Sequence, residues 1–238
     1  MKSRRFARAA LLAALAISLA ACGPGAGLHG DLAALAKGDY SRIADPATAE
    51  SVRSAVDGGT AAWTRGDING DGEPELILLD TTQRPAGRPQ PILGVFYLCG
   101  ENIGSALLDF NDSTEYYFLG PRGSVVYYYL TSGAVLSEQY YRCAFVGGYD
   151  PVYTSGLVIA NFLDGKDLNG EPLDGEKWAE EHPALADMPL EGVHYIRLSS
   201  ESGKDRLAAE EIDEEGFLAE YKALTGRAFS DPHERYSA

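Results

Sequence analysis

A chain of 238 residues, 45% of them hydrophobic and 23% charged, carries enough apolar material for a sizeable core and does not have the composition of a disordered polymer. Its 20 Lys+Arg stand against 35 Asp+Glu, a formal net charge of −15, so its surface repels nucleic acid and anionic lipid head groups and attracts cations. The acids are spread along the chain, as on a solvated acidic face, and no segment after the N-terminus is apolar enough to cross a bilayer.

The chain opens with "MKSRRFARAALLAALAISLAAC". Basic residues (Lys2, Arg4, Arg5, Arg8) precede an apolar run from Ala9 to Ala21. That run is shorter than the ~20 residues a transmembrane helix needs and has the form of an export leader. Its end, Leu19-Ala20-Ala21-Cys22, resembles the bacterial lipobox. The resemblance implies that residues 1–21 are a lipoprotein signal peptide and that Cys22 becomes the first mature residue, with a diacylglyceryl group on its sulfur. Such a chain is held at the extracytoplasmic face of the bacterial cell membrane, where two acyl chains anchor stably and one is marginal. The basic residues leave with the leader, so the remaining body is more acidic than the whole. "GPGAG", Gly23 to Gly27, supplies a flexible tether within residues 22–30. In the alternative, an ordinary secreted protein, Cys22 is incidental.

Residues 31–230 read as a single α+β domain, an antiparallel β-meander sheet with flanking short helices, and 231–238 as a polar tail. "GDLAALAKGDY" is a short helix. "ADPATAESVRSAVDGG" is a longer one, with Asp45 as N-cap, Pro46 in the first helical position and Gly58-Gly59 as its stop. From Ala61 the pattern turns to β. Strands are expected at Leu76–Leu79, Leu93–Leu98, Ser105–Asp109, Glu115–Leu119, Ser124–Leu130, Leu136–Phe145, Gly156–Phe162 and Val193–Leu198, separated by Gly, Pro, Asn and Asp clusters. Two segments, "PLDGEKWAEEHPAL" and "EIDEEGFLAEYKAL", share one device. Asp174 and Asp213 serve as N-caps, and the pairs Leu173/Trp178 and Ile212/Phe217 form hydrophobic staples. The second helix stops at Gly226.

"DINGDGEPELILLD", Asp67 to Asp80, carries the clearest chemistry. Asp67, Asn69 and Asp71 occupy alternate positions of a loop that Gly72 can turn sharply, Glu73 can offer its backbone carbonyl, and Glu75 can close the shell directly or through water. Calcium takes six to eight such oxygens in a forgiving geometry. Position 12 of a helix–loop–helix EF-hand should be a bidentate Glu, and here it is Leu78; Pro74 stands at position 8, and a β run follows. The segment resembles instead the calcium loops of FG-GAP and VCBS repeats, which lead into a strand. Those repeats build propellers from several blades, whereas one full copy is present here. "DLNGEPLDG" echoes it weakly, with Asp167, Asn169 and Glu171 but Pro172 where the turn glycine belongs. Layout, loop and the acidic C-terminal helix together resemble small bacterial lipoproteins with a single such loop, which implies one structural Ca2+ and no known reaction. Without metal, the same Asn-Gly and Asp-Gly pairs suit a polar hairpin turn.

Cys99 and Cys143 lie in strand-like text; outside the cytoplasm they can pair or remain two buried thiols, and spacing does not decide between these. No HExxH, GxSxG, P-loop or SxxK is present, and His29, His182, His194 and His233 show no ligand spacing. Tyrosine clusters suit core and cross-strand packing, with an aromatic face toward glycans as the sharper alternative. Catalytic residues are therefore none. The sequence favours a non-catalytic surface binding module, with an envelope glycan or protein as partner. The competing reading is a cell-envelope glycan hydrolase using paired carboxylates.

Overall fold

The computed structural model describes residues 29–82, 89–100, 102–106, 114–132, 135–145, 149–162, 165–166, 171–181, 185–200 and 207–229. The leader, Cys22, most of the tether, Asp167 and Asn169 of the weak echo, His182, His233 and the C-terminal tail lie outside them. Among the described residues, ten strands form two antiparallel sheets accompanied by a few short helices. The expected antiparallel sheet with flanking short helices is thus present, with its strands divided between two sheets rather than gathered in one. No described helix is long and apolar enough to cross a membrane. The chain separates into two compact units.

The first unit holds α1 (Gly30–Leu35), α2 (Pro46–Asp57) and the strands β1 (Ala61–Gly66), β2 (Glu75–Asp80), β3 (Ile92–Cys99) and β4 (Asn102–Ala106), paired in chain order. Helix α2 starts where expected. Pro46 presets φ in the first turn, and the Asp45 carboxylate accepts from the Thr48 amide at 2.7 Å and the Thr48 hydroxyl at 2.6 Å. Those bonds hold the Asp45 carboxyl below the ordinary aspartate value of about 3.9, so the cap is complete above that pH and is lost only on further acidification. One face of the sheet, Leu76, Leu78, Phe96 and Ile103, packs on Leu32, Leu35 and Val52 of the helices. All six residues of β2 are buried, as a near-continuous apolar run covered on both faces requires.

The second unit holds β5 (Glu115–Leu119), β6 (Val125–Ser132), β7 (Leu136–Phe145), β8 (Pro151–Asn161), α3 (Gly175–Glu181), β9 (Val193–Ser200), β10 (Leu207–Ile212) and α4 (Glu214–Thr225). Its six strands also pair in chain order, from β5 at one edge to β10 at the other. Alternation sends Tyr116, Phe118, Val126, Tyr128 and Tyr140 to one face, where Phe217, Tyr221 and Leu224 of α4 cover them. Those three helix residues are spaced i, i+4 and i+7, one stripe of the helix. The Asp213 cap accepts from the Gly216 amide at 2.8 Å, and Gly226 ends the helix in the left-handed region (φ 73°), which a side chain would resist. The other face packs Ala160, Phe162 and Ile196 against Trp178 of α3, Leu173 and Met188. Strand β8 begins at Pro151, ahead of the expected Gly156, and β10 was not anticipated.

Phe217 is fully buried and touches Tyr195, Tyr221 and Phe229 with ring centroids 5.0, 6.1 and 5.6 Å away. Phe217→Ala should lower unfolding stability by about 3–5 kcal/mol, the cost of truncating a buried aromatic. Urea denaturation followed by tyrosine fluorescence measures it; a loss below ~1 kcal/mol would mean that α4 does not seal this core.

Candidate functional site

The segment between β1 and β2 must reverse the chain through Asp67–Pro74 while its amides lie outside the sheet ladder, whose last pair is Gly66 with Glu75. Its own side chains take those amides. The two carboxylate oxygens of Asp67 accept from Gly70 N–H at 2.7 Å and Gly72 N–H at 3.0 Å. Asn69 Oδ1 accepts from the Asp71 amide at 3.0 Å, and Asp71 Oδ1 from the Glu73 amide at 2.7 Å. The Asn69 amide group donates to Asp71 Oδ2 at 2.9 Å. Glu75, 2% exposed at the start of β2, reaches back to accept from the Ile68 amide at 2.9 Å. Gly72 sits at φ 90°, a conformation that costs glycine nothing and strains any side chain.

Asp67, Asn69 and Asp71 are therefore brought to one tight turn, and Glu75 is folded back against its start. The Glu73 side chain is exposed and only its amide joins the network. Among the described residues, no three His, Cys, Asp or Glu groups are gathered as a metal-binding cluster. The donor set is nonetheless of the kind calcium takes, hard oxygens alone, with carboxylates and an amide at alternate positions. Each carboxylate oxygen has two acceptor sites, so an amide bond leaves capacity for a cation. The residues fit the ion in chemistry.

Cys99 and Cys143 are free thiols: Cys99 is exposed at the end of β3, and Cys143 is buried on β7. Burial pushes the Cys143 thiol up to about 12, away from the reactive thiolate. Of the histidines, His29 caps α1 by accepting from the Asp31 amide. His194 is buried on β9 and bonded to Glu211, a pairing across 17 residues that no local signal announces.

Tyr127, Tyr129, Tyr141 and Tyr153 share the face of the six-stranded sheet opposite α4. Tyr127 lies 5.3 Å from Tyr153 and 6.3 Å from Tyr129, ring to ring, in stacked pairs. Tyr129 and Tyr153 are 37% and 38% exposed, and the others are half-buried. Burial, reinforced by the hydrogen bond to Glu115, raises the Tyr127 phenol far above its ordinary value; burial brings Tyr141 to about 12. The rings spend much of their area on one another, so cross-strand packing accounts for them. The chain matches no protein-family model, no curated protein and no solved structure.

Alkylation with iodoacetamide should label exposed Cys99 in the folded chain and spare buried Cys143 until denaturant is added. Peptide mapping reads the result. Equal labelling of both thiols in native buffer would contradict the burial of Cys143.

Proposed function

We propose that the chain is a lipid-anchored, extracytoplasmic calcium-binding domain that acts as a non-catalytic binding module on the bacterial cell membrane. The observation that carries the calcium reading is the loop at Asp67–Glu75, in which the oxygens of Asp67, Asn69 and Asp71 accept from the amides of one turn. Asp67, Asn69 and Asp71 would hold the ion through side chains, Glu73 through its backbone carbonyl, and Glu75 directly or through water. The ion's role is structural, since the loop serves to connect two strands.

Anchoring rests on the leader and on Leu19-Ala20-Ala21-Cys22. On this reading residues 31–230, an α+β body of meander-ordered strands, are what the lipid holds at the surface. The net charge of −15 argues against nucleic acid as partner and leaves an envelope glycan or protein.

Calcium titration should raise the melting temperature relative to EGTA, with about 2.7 kcal/mol of added stability at 100 times the dissociation constant. The double variant Asp67→Ala/Asp71→Ala should abolish that shift. An unchanged melting temperature in calcium, or a full shift in the variant, would sink the metal reading.

A second measurement addresses the anchor. Cys22→Ser should abolish incorporation of labelled palmitate and move the chain from the membrane to the soluble fraction. Retention of the label in that variant would refute lipidation at Cys22.

A further inference from the structure

The turn between β1 and β2 contains the pair Asn69-Gly70, which carries a chemistry of its own. A backbone nitrogen can attack the side-chain amide carbon of the residue before it, and glycine, lacking Cβ, leaves that approach unhindered. The turn cannot dispense with this glycine, because Gly70 sits at φ 78°, where any side chain is strained. Gly70 is also exposed, so base and water reach it. A second such pair, Asn169-Gly170, lies outside the described residues.

We propose that Asn69 is a site of self-modification, held as an amide by the closed loop and converted to isoaspartate or aspartate once the loop opens. Solvent base takes the Gly70 N–H proton, and the nitrogen attacks Asn69 Cγ. The new N–Cγ bond closes a cyclic imide; the Cγ–Nδ2 bond breaks, and Nδ2 leaves as ammonia with a proton from solvent. Water then opens the imide, giving aspartate when it adds at Cγ and isoaspartate when it adds at the main-chain carbonyl. One water is consumed and one ammonia released, with no change of oxidation state.

The closed loop opposes each step. Gly70 N–H donates to Asp67 Oδ1 at 2.7 Å, so an anionic nitrogen there would face a carboxylate. The Asn69 amide is held at both ends by Asp71. Its Nδ2 donates to Asp71 Oδ2 at 2.9 Å, and its Oδ1 accepts from the Asp71 amide at 3.0 Å. Expelling Nδ2 breaks the first of these bonds, and rotating the amide toward the Gly70 nitrogen breaks both. Conversion in turn opposes reclosure. It replaces the Nδ2 donor by a carboxylate oxygen facing Asp71. Isoaspartate also lengthens the main chain between Asp67 and Gly72, whose amide Asp67 holds at 3.0 Å. Opening is thereby recorded covalently in the turn that follows the last ladder pair, Gly66 with Glu75.

The test incubates the full chain in mildly alkaline buffer, folded and in guanidinium chloride, with EGTA to keep divalent cations out of the comparison. Peptide mapping by mass spectrometry follows Asn69, the isoaspartyl peptide being separated by its elution. Conversion in the folded chain should be slower by about tenfold or more, the factor one hydrogen bond to a charged group supports. Asp67→Ala, shown to be folded by circular dichroism, should recover most of the denatured rate. Equal rates in the folded and denatured wild type, or a folded Asp67→Ala that converts no faster than wild type, would overturn the proposal. Amide exchange at Gly70 of the wild type gives a measurement free of any variant. It should be protected by a similar factor, and exchange at the intrinsic rate would also overturn the proposal, so the wild type decides even where Asp67→Ala fails to fold.

Discussion

The closure of the loop between β1 and β2 is the constraint on which the four-stranded sheet depends. Strand β2 is buried along its whole length, and β1 and β3 are registered on it from either side. Slipping that strand by one residue would exchange its two faces, so the turn that sets its register decides which apolar side chains meet the helices. Asp67 performs that task by accepting two amides of the turn, and Glu75 by accepting the amide of Ile68. Without those acceptors, a reversal this long would leave its backbone donors to water and its register loosely held.

The six-stranded sheet is organised by a different economy of side chains. Its central strands are rich in tyrosine, and alternation gives consecutive tyrosines opposite fates. Tyr128 is 2% exposed beneath α4, whereas its neighbour Tyr129 is 37% exposed on the other face. The side that receives α4 is sealed by aromatic contacts, Tyr140 with Tyr221 at 5.1 Å and Tyr195 with Phe217 at 5.0 Å. The Arg197 pairs with Glu210 and Glu220 add little to this, being partly exposed and screened, so the orientation of α4 rests on its apolar stripe.

What was legible in the sequence was local. Asp45-Pro46 and Asp213 with Gly226 mark helix ends through groups within a few residues of each other, and the structure places the caps there. The spacing of Asp67, Asn69, Asp71 and Glu75 likewise announced a curled polar loop. What stayed hidden depends on partners far along the chain. "LAAEEI" is poor in β-forming residues, and its strand state comes from pairing with β9. Pro151 reads as a break, yet it is tolerated as the first residue of β8, and the register shift at Arg142/Cys143 accommodates the strand's early part. The division into two sheets is hidden too, because strands pair with their chain neighbours within each sheet and, of the described strands, only β4 and β5 do not.

The loop's own hydrogen bonds bear on what an ion can do there. Asp67 and Asp71 carry like charges within five residues, a repulsion that tight turning increases. Amide donors from Gly70, Gly72 and Glu73 already place partial positive charge against those oxygens and hold the turn closed. A calcium ion would strengthen that compensation. Among the described residues, the loop contributes none to the hydrophobic clusters around Phe96, Phe118 and Phe162, so the proposed ion differs from the metal of a small zinc domain, whose binding energy is the folding energy. Its gain in stability should be set by affinity and concentration rather than appear as an all-or-none requirement.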